Sequence, residues 1–68
     1  MPGTYKITEL VGTSPTSFAE ATKAAVAEAA KTLRNMDWFE VVEERGKIKD
    51  GAVAEFQVTI KIGFRIER

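Results

Sequence analysis

Trp38 is the only tryptophan in the chain, and it stands in Asn35-Met36-Asp37-Trp38-Phe39-Glu40, between a helix-patterned stretch and a strand-patterned one. A tryptophan used for packing usually lies inside a periodic apolar stripe. One at a boundary can offer a ring face to a planar ligand or to a second copy of the chain. A single indole covers one side of such a ligand; a two-fold axis would return the same indole from a partner and close a slot. Gln57 adds a carboxamide, a donor and an acceptor side by side. That pair matches a ring edge bearing adjacent carbonyl and N–H groups. Arg45 and Arg65 suit a phosphate, which a guanidinium binds through two parallel hydrogen bonds. Lys6 is a weaker member of the same set. Each has a plainer reading: an interface or core role for Trp38, a solvated strand position for Gln57, and surface ion pairs for the cations.

Other chemistry has few handles. The chain has no His and no Cys, so the commonest general base and the thiol nucleophile are both missing. Any metal site would have to be built from carboxylates for a hard cation. Glu43 and Glu44 are neighbours on a strand pattern and point to opposite faces, so they cannot serve one site within a chain. Ser14 and Ser17 sit in a cap segment and read as helix caps. Gly12-Thr13-Ser14 precedes a helix but lacks the Lys and glycine spacing of a phosphate loop, which leaves a strand-to-helix turn.

Elements that could position these residues follow from periodicity. Tyr5 to Val11 alternates as a strand, with Tyr5, Ile7 and Val11 on one side and Lys6 and Thr8 on the other. A helix then begins either at Ser14 with Pro15 in the first turn or at Ser17 with Glu20 closing a capping box. Phe18, Ala21, Ala25, Val26, Ala29, Leu33 and Met36 line one face of a helix predicted to run to about Asn35, about 30 Å long. Its alanines favour helix and let another backbone approach closely. Phe39 to Ile48 reads as a second strand, and Lys49-Asp50-Gly51 as a tight hairpin turn. Ala54 to Ile66 alternates without a fault and reads as a third strand. Pairing through that turn places residues whose numbers sum to about 101 opposite each other, and so Gln57 across from Glu44. The third strand is too long for the helix to cover. Either the sheet curls, with Gly63 as the bend, or its overhang meets other copies.

At 68 residues the chain is one domain, 1–68, with a core of marginal size. Domains this small add disulfides, a metal or oligomerisation, and elimination leaves oligomerisation. Lys and Arg total 10 and Asp and Glu total 10, giving zero net charge. No basic stripe provides a nucleic-acid footprint, and no apolar run is long enough for a membrane helix. Met1-Pro2-Gly3-Thr4 has none of the pattern of a signal peptide, so the expected location is cytoplasmic.

In order along the chain, Leu10-Val11-Gly12-Thr13-Ser14, Asp37-Trp38-Phe39-Glu40-Val41, Arg45-Gly46, Phe56-Gln57-Val58 and Gly63-Phe64-Arg65 resemble the dodecins, small flavin-binding proteins. The resemblance spans almost the whole length. It implies an α+β fold: a β-α-β-β subunit whose three-stranded antiparallel sheet wraps around one helix, assembled into a hollow homododecamer. It also implies paired flavins at two-fold interfaces between symmetry-related copies of Trp38. Gln57 would bond the pyrimidine edge, Asp37 would flank the slot, and Arg45 and Arg65 mark the bacterial type that favours FMN over riboflavin or FAD. Coenzyme A near the helix C-terminal half, at Thr32 and Arg34, is a further implication, although Glu28 puts an acid where a base would be expected. The expected function is flavin storage without catalysis. The alternative is an oligomeric interaction module with no cofactor, and a flavoenzyme ranks last.

Overall fold

The computed structural model describes residues 3–66. Its elements follow in the order β1 (Tyr5–Ser14), α1 (Phe18–Ala29), β2 (Met36–Lys49) and β3 (Ala52–Arg65). The three strands form one antiparallel sheet in the order β1-β3-β2, so the most regularly alternating strand is central. This is the expected β-α-β-β arrangement.

The helix N-terminus resolves the two capping alternatives. The Ser17 hydroxyl accepts a hydrogen bond from the Glu20 N–H at 3.0 Å, as a cap does. Ser14 instead ends β1, and its buried hydroxyl accepts from the Thr16 N–H at 3.0 Å, shaping the turn that leads to the cap. The helix is 12 residues long and ends at Ala29, well short of Asn35. Tightened turns follow, with the Lys31 N–H bonded to the Glu28 carbonyl and the Thr32 N–H to that of Ala29. Asn35 then adopts a left-handed backbone (φ 60°), and its carbonyl accepts from the Arg65 N–H at 3.0 Å. Leu33 and Met36 still pack against the core, but from this turn and from the start of β2. The apolar spacing therefore persisted past the helix that it resembled.

The core is the contact between α1 and the middle of the sheet. Ala21, Ala25 and Ala29 meet Val58, Ile60 and Ile62, with Leu10, Phe18, Val26, Leu33 and Met36 around them. Phe18 meets Phe56 edge-on at 5.0 Å. The small helix face has a partner in Gly12. A Cβ there would run into the Ala21 carbonyl oxygen, so the helix backbone rests directly on β1. Twelve helical residues span only about 18 Å, whereas the subunit extends 53 Å along its longest axis. The helix covers β1 and β3 and leaves β2 beyond Met36 bare, and the hairpin end of the sheet overhangs. Among the described residues, no helix is long and apolar enough to cross a membrane.

The hairpin turn is as expected: Asp50 (φ 52°) and Gly51 (φ 76°) both take left-handed backbone. The register corrects the sequence reading in one place. Lys49 pairs with Ala52, but an irregularity between Lys47 and Ile48 shifts the ladder by one residue. Gln57 therefore faces Arg45, not Glu44.

Candidate functional site

The sheet has one face under the helix and one open face. Val58, Ile60 and Ile62 point to the helix, so Gln57, Thr59, Lys61, Gly63 and Arg65 point to the open side. Antiparallel pairing without a shift gives β1 the same sense. Tyr5, Ile7, Glu9, Val11 and Thr13 lie on the open face opposite Arg65, Gly63, Lys61, Thr59 and Gln57. The apolar side of β1 thus faces out, and Leu10, Gly12 and Ser14 face the helix.

On β2 the two key residues share this face only because the strand is irregular. Trp38 pairs with Gly63 and Arg45 with Gln57, although one number is even and the other odd. The shift between Val41 and Glu43 inserts Val42 as an extra residue and reverses the alternation.

Trp38 is seated by glycine. A Cβ on Gly63 would fall into the six-membered ring of the indole, at Cζ2 and Cε2. The ring therefore lies against bare backbone. Tyr5 stands beside it, with ring centroids 5.1 Å apart and planes tilted by 51°. Even so, Trp38 remains 42% exposed. Arg65 lies next along the same face, opposite Tyr5, and its Nε is 3.3 Å from where a Gly3 Cβ would stand. Asp37 is exposed in the irregular start of β2. It lines a cleft of about 190 Å³ with Val26, Met36, Trp38, Phe39 and Ile62.

At the other end of the face is a polar row. Arg45 Nε donates to Gln57 Oε1 at 2.7 Å, and Arg45 Nη1 donates to Glu43 Oε1 at 3.0 Å. Gln57 Nε2 donates to Glu55 Oε1 at 2.9 Å, and Lys47 Nζ approaches that oxygen at 3.9 Å. Gln57 and Gly63 are six residues apart on β3, about 20 Å along an extended strand. Trp38 and Gln57 of one chain therefore cannot touch one ring system. Within a chain the structure brings Trp38 to Arg65 and Arg45 to Gln57.

Lys6 pairs with Phe64 and stands on the other face of the sheet. It lines a groove of about 400 Å³ with Thr32, Leu33, Arg34, Asn35, Phe64, Arg65 and Ile66. Sequence reasoning missed Tyr5 and Gly63 as the seat of the indole, and Glu55 as a partner of Gln57. The signal for Gly63 was a residue without a side chain on the polar side of an otherwise regular strand. Among the described residues no cluster of three or more acids could hold a metal.

The family model for Dodecin matches residues 4–67. The chain belongs to the dodecin family. It is 54% identical to the dodecin of Thermus thermophilus over 63 residues, 93% of this chain and 91% of the relative. The dodecin structure from Streptomyces coelicolor superposes with a TM-score of 0.94 at 53% identity, covering 97% of this chain and 94% of that one. The dodecin from Streptomyces davaonensis gives 0.96 at 47% identity over the full length of both chains. Solved forms of the T. thermophilus dodecin include its W38F, R45A and R65A mutants.

Proposed function

We propose that this protein binds and sequesters flavin, FMN in preference to riboflavin or FAD, and is not an enzyme. The observation that carries the reading is the indole of Trp38, laid on the bare backbone of Gly63 on an open face and still 42% exposed. A large apolar ring kept partly in water on a rigid strand suits stacking on a planar ligand. An indole at contact distance gives an excited flavin a fast non-radiative path, so bound flavin is dark and shielded from photochemistry. The separation of Trp38 from Gln57 supports a binding site assembled from several copies, with Trp38 stacking from one and Gln57 meeting the ring edge from another. Copies of the chain gathered into a homododecamer would provide this. Arg65, beside Trp38, is the stronger phosphate candidate. Arg45 already has Nε and Nη1 engaged with Gln57 and Glu43. Asp37 borders the slot. Membership of the dodecin family supports the reading, and so do the T. thermophilus mutants, which alter a Trp and two Arg bearing the numbers of Trp38, Arg45 and Arg65 here. The groove that gathers Lys6 and Arg34 around Leu33 and Phe64 fits a second, phosphate-bearing ligand such as coenzyme A.

The deciding experiment is a flavin fluorescence titration with ligand-free protein. Saturable quenching of FMN and riboflavin is expected, with Trp38→Ala weakening both by two orders of magnitude or more, about 3 kcal/mol for a lost aromatic contact. Arg65→Ala should weaken FMN more than riboflavin. Wild-type protein that leaves both flavins fluorescent at micromolar concentration overturns the reading and leaves an oligomeric interaction module.

A further inference from the structure

We infer that Glu55 is a positioning residue that fixes the orientation of the Gln57 carboxamide and so sets which ligand edge the site accepts. The inference rests on the flavin reading above. A carboxamide has two nearly isosteric ends, and in isolation either can face either way. Here its neighbours remove the choice. Arg45 has only donors and lies 2.7 Å from Oε1; the Glu55 carboxylate has only acceptors and lies 2.9 Å from Nε2. Turning the amide over would set N–H against guanidinium N–H and carbonyl against carboxylate. Lys47 draws on the same Glu55 oxygen at 3.9 Å. Glu55 is also the less exposed member of that pair, with its side chain 34% exposed against 68% for Lys47.

The fixed amide keeps one lone pair on Oε1 and one N–H on Nε2 for a ligand. Flavin presents an N–H between two carbonyls at its pyrimidine edge. A free carboxamide could pair with either carbonyl by flipping, and the ring would then lie in two senses. With the donor end held toward Glu55 and the acceptor end toward Arg45, only one of the two carbonyls pairs for a given stacking pose. Glu55 acts on selectivity through Gln57, without touching the ligand.

The test compares riboflavin with N3-methylriboflavin, which lacks the edge N–H, by fluorescence titration of the assembled protein. Wild type should prefer riboflavin. Glu55→Met keeps side-chain length but removes the acceptor. It should weaken riboflavin about tenfold, the scale of one charge-assisted hydrogen bond, leave the methylated ligand unchanged and narrow the preference. Glu55→Gln should stay within about twofold of wild type, because Lys47 and Gln57 both turn donors toward its carbonyl. In a Gln57→Ala background, Glu55→Met should add nothing. Equal losses for both ligands, a full additional loss on Gln57→Ala, or unchanged riboflavin binding would each overturn the positioning role. Should Glu55→Met not assemble, Glu55→Gln decides, since loss of its ligand preference would overturn the proposal. Wild-type protein that quenches neither ligand takes down the flavin reading and this inference together, before any variant is compared.

Discussion

Two glycines divide the labour between fold and site, and the difference lies in what each one touches. Gly12 carries the weight of a helix: a Cβ there meets the Ala21 carbonyl and Ala25 Cβ, neither of which can swing away. Gly12→Ala should cost about 1–3 kcal/mol, as overpacking of a rigid contact does, and thermal denaturation will show it. Gly63 carries a side chain instead, and Trp38 can rotate toward water at little cost to the fold. Gly63→Ala should leave melting within a few degrees of wild type and still weaken flavin about tenfold or more, because the displaced indole no longer presents its face. A Gly63→Ala protein that quenches flavin like wild type would mean that the bare backbone does not seat the ring. Neither glycine was assigned its role from sequence. An alternating pattern gives the face of a missing side chain, not the atom that lies over it.

A bulge at Val42 makes the site possible at the scale of the strand. Trp38 and Arg45 have opposite parity, so a regular β2 would put them on opposite faces of the sheet. The extra residue between Val41 and Glu43 brings them to the same side. Deleting Val42 removes the extra residue and leaves Trp38 and Arg45 six positions apart, so a regular β2 would keep both on the open face, still opposite Gly63 and Gln57. The expected outcome is folded protein, because β2 contributes little to the core, with flavin quenching and Gln57-dependent ligand preference retained, whereas an alanine inserted beside Val42 with no second bulge to absorb it would turn Trp38 or Arg45 away and lose one of the two. Circular dichroism with the same titration would check it, and a folded deletion that loses either property would show that the bulge does more than bring the two side chains to one face. This irregularity also marks how far the sequence was legible. The order of elements, the hairpin turn, the buried face of β3 and the helix contact residues followed from local spacing. The register did not, because the Lys47/Ile48 and Val41/Glu43 shifts arise from twist and pairing between strands, and no residue type announces them. The helix end failed similarly: Leu33 and Met36 are apolar at helical spacing, but they reach the core from a turn and a strand.

The subunit as a whole is under-covered. Its fully buried apolar core is Ala21, Ala25, Ala29, Val58, Ile60 and Ile62, half of it alanine. Larger side chains remain in water on the bare strand and the overhang: Phe39 at 52%, Val41 at 43%, Ile48 at 78% and Val53 at 61% exposed. A chain of this size with so small a core gains too little from burial to offset its conformational entropy alone. Covering the strip with further copies would supply the missing burial, and it would also protect β2, an edge strand whose unpaired backbone invites aggregation. Folding and assembly should then be one transition, with a melting temperature that rises with protein concentration. Phe39 tests this most directly. It pairs with Ile62 on the helix side of β2 yet has no helix over it. Phe39→Asp would put a charge where a neighbour must pack, and burying an unpaired carboxylate is costly enough to block the contact. Sedimentation should show wild type as a single large species and the variant as small, largely unfolded material that no longer quenches flavin. Phe39→Leu should retain the large species, since it keeps an apolar contact at that position. A Phe39→Asp chain that sediments as a full-sized assembly would show that this strip is not the interface; a folded wild-type monomer at micromolar concentration would show that none is required.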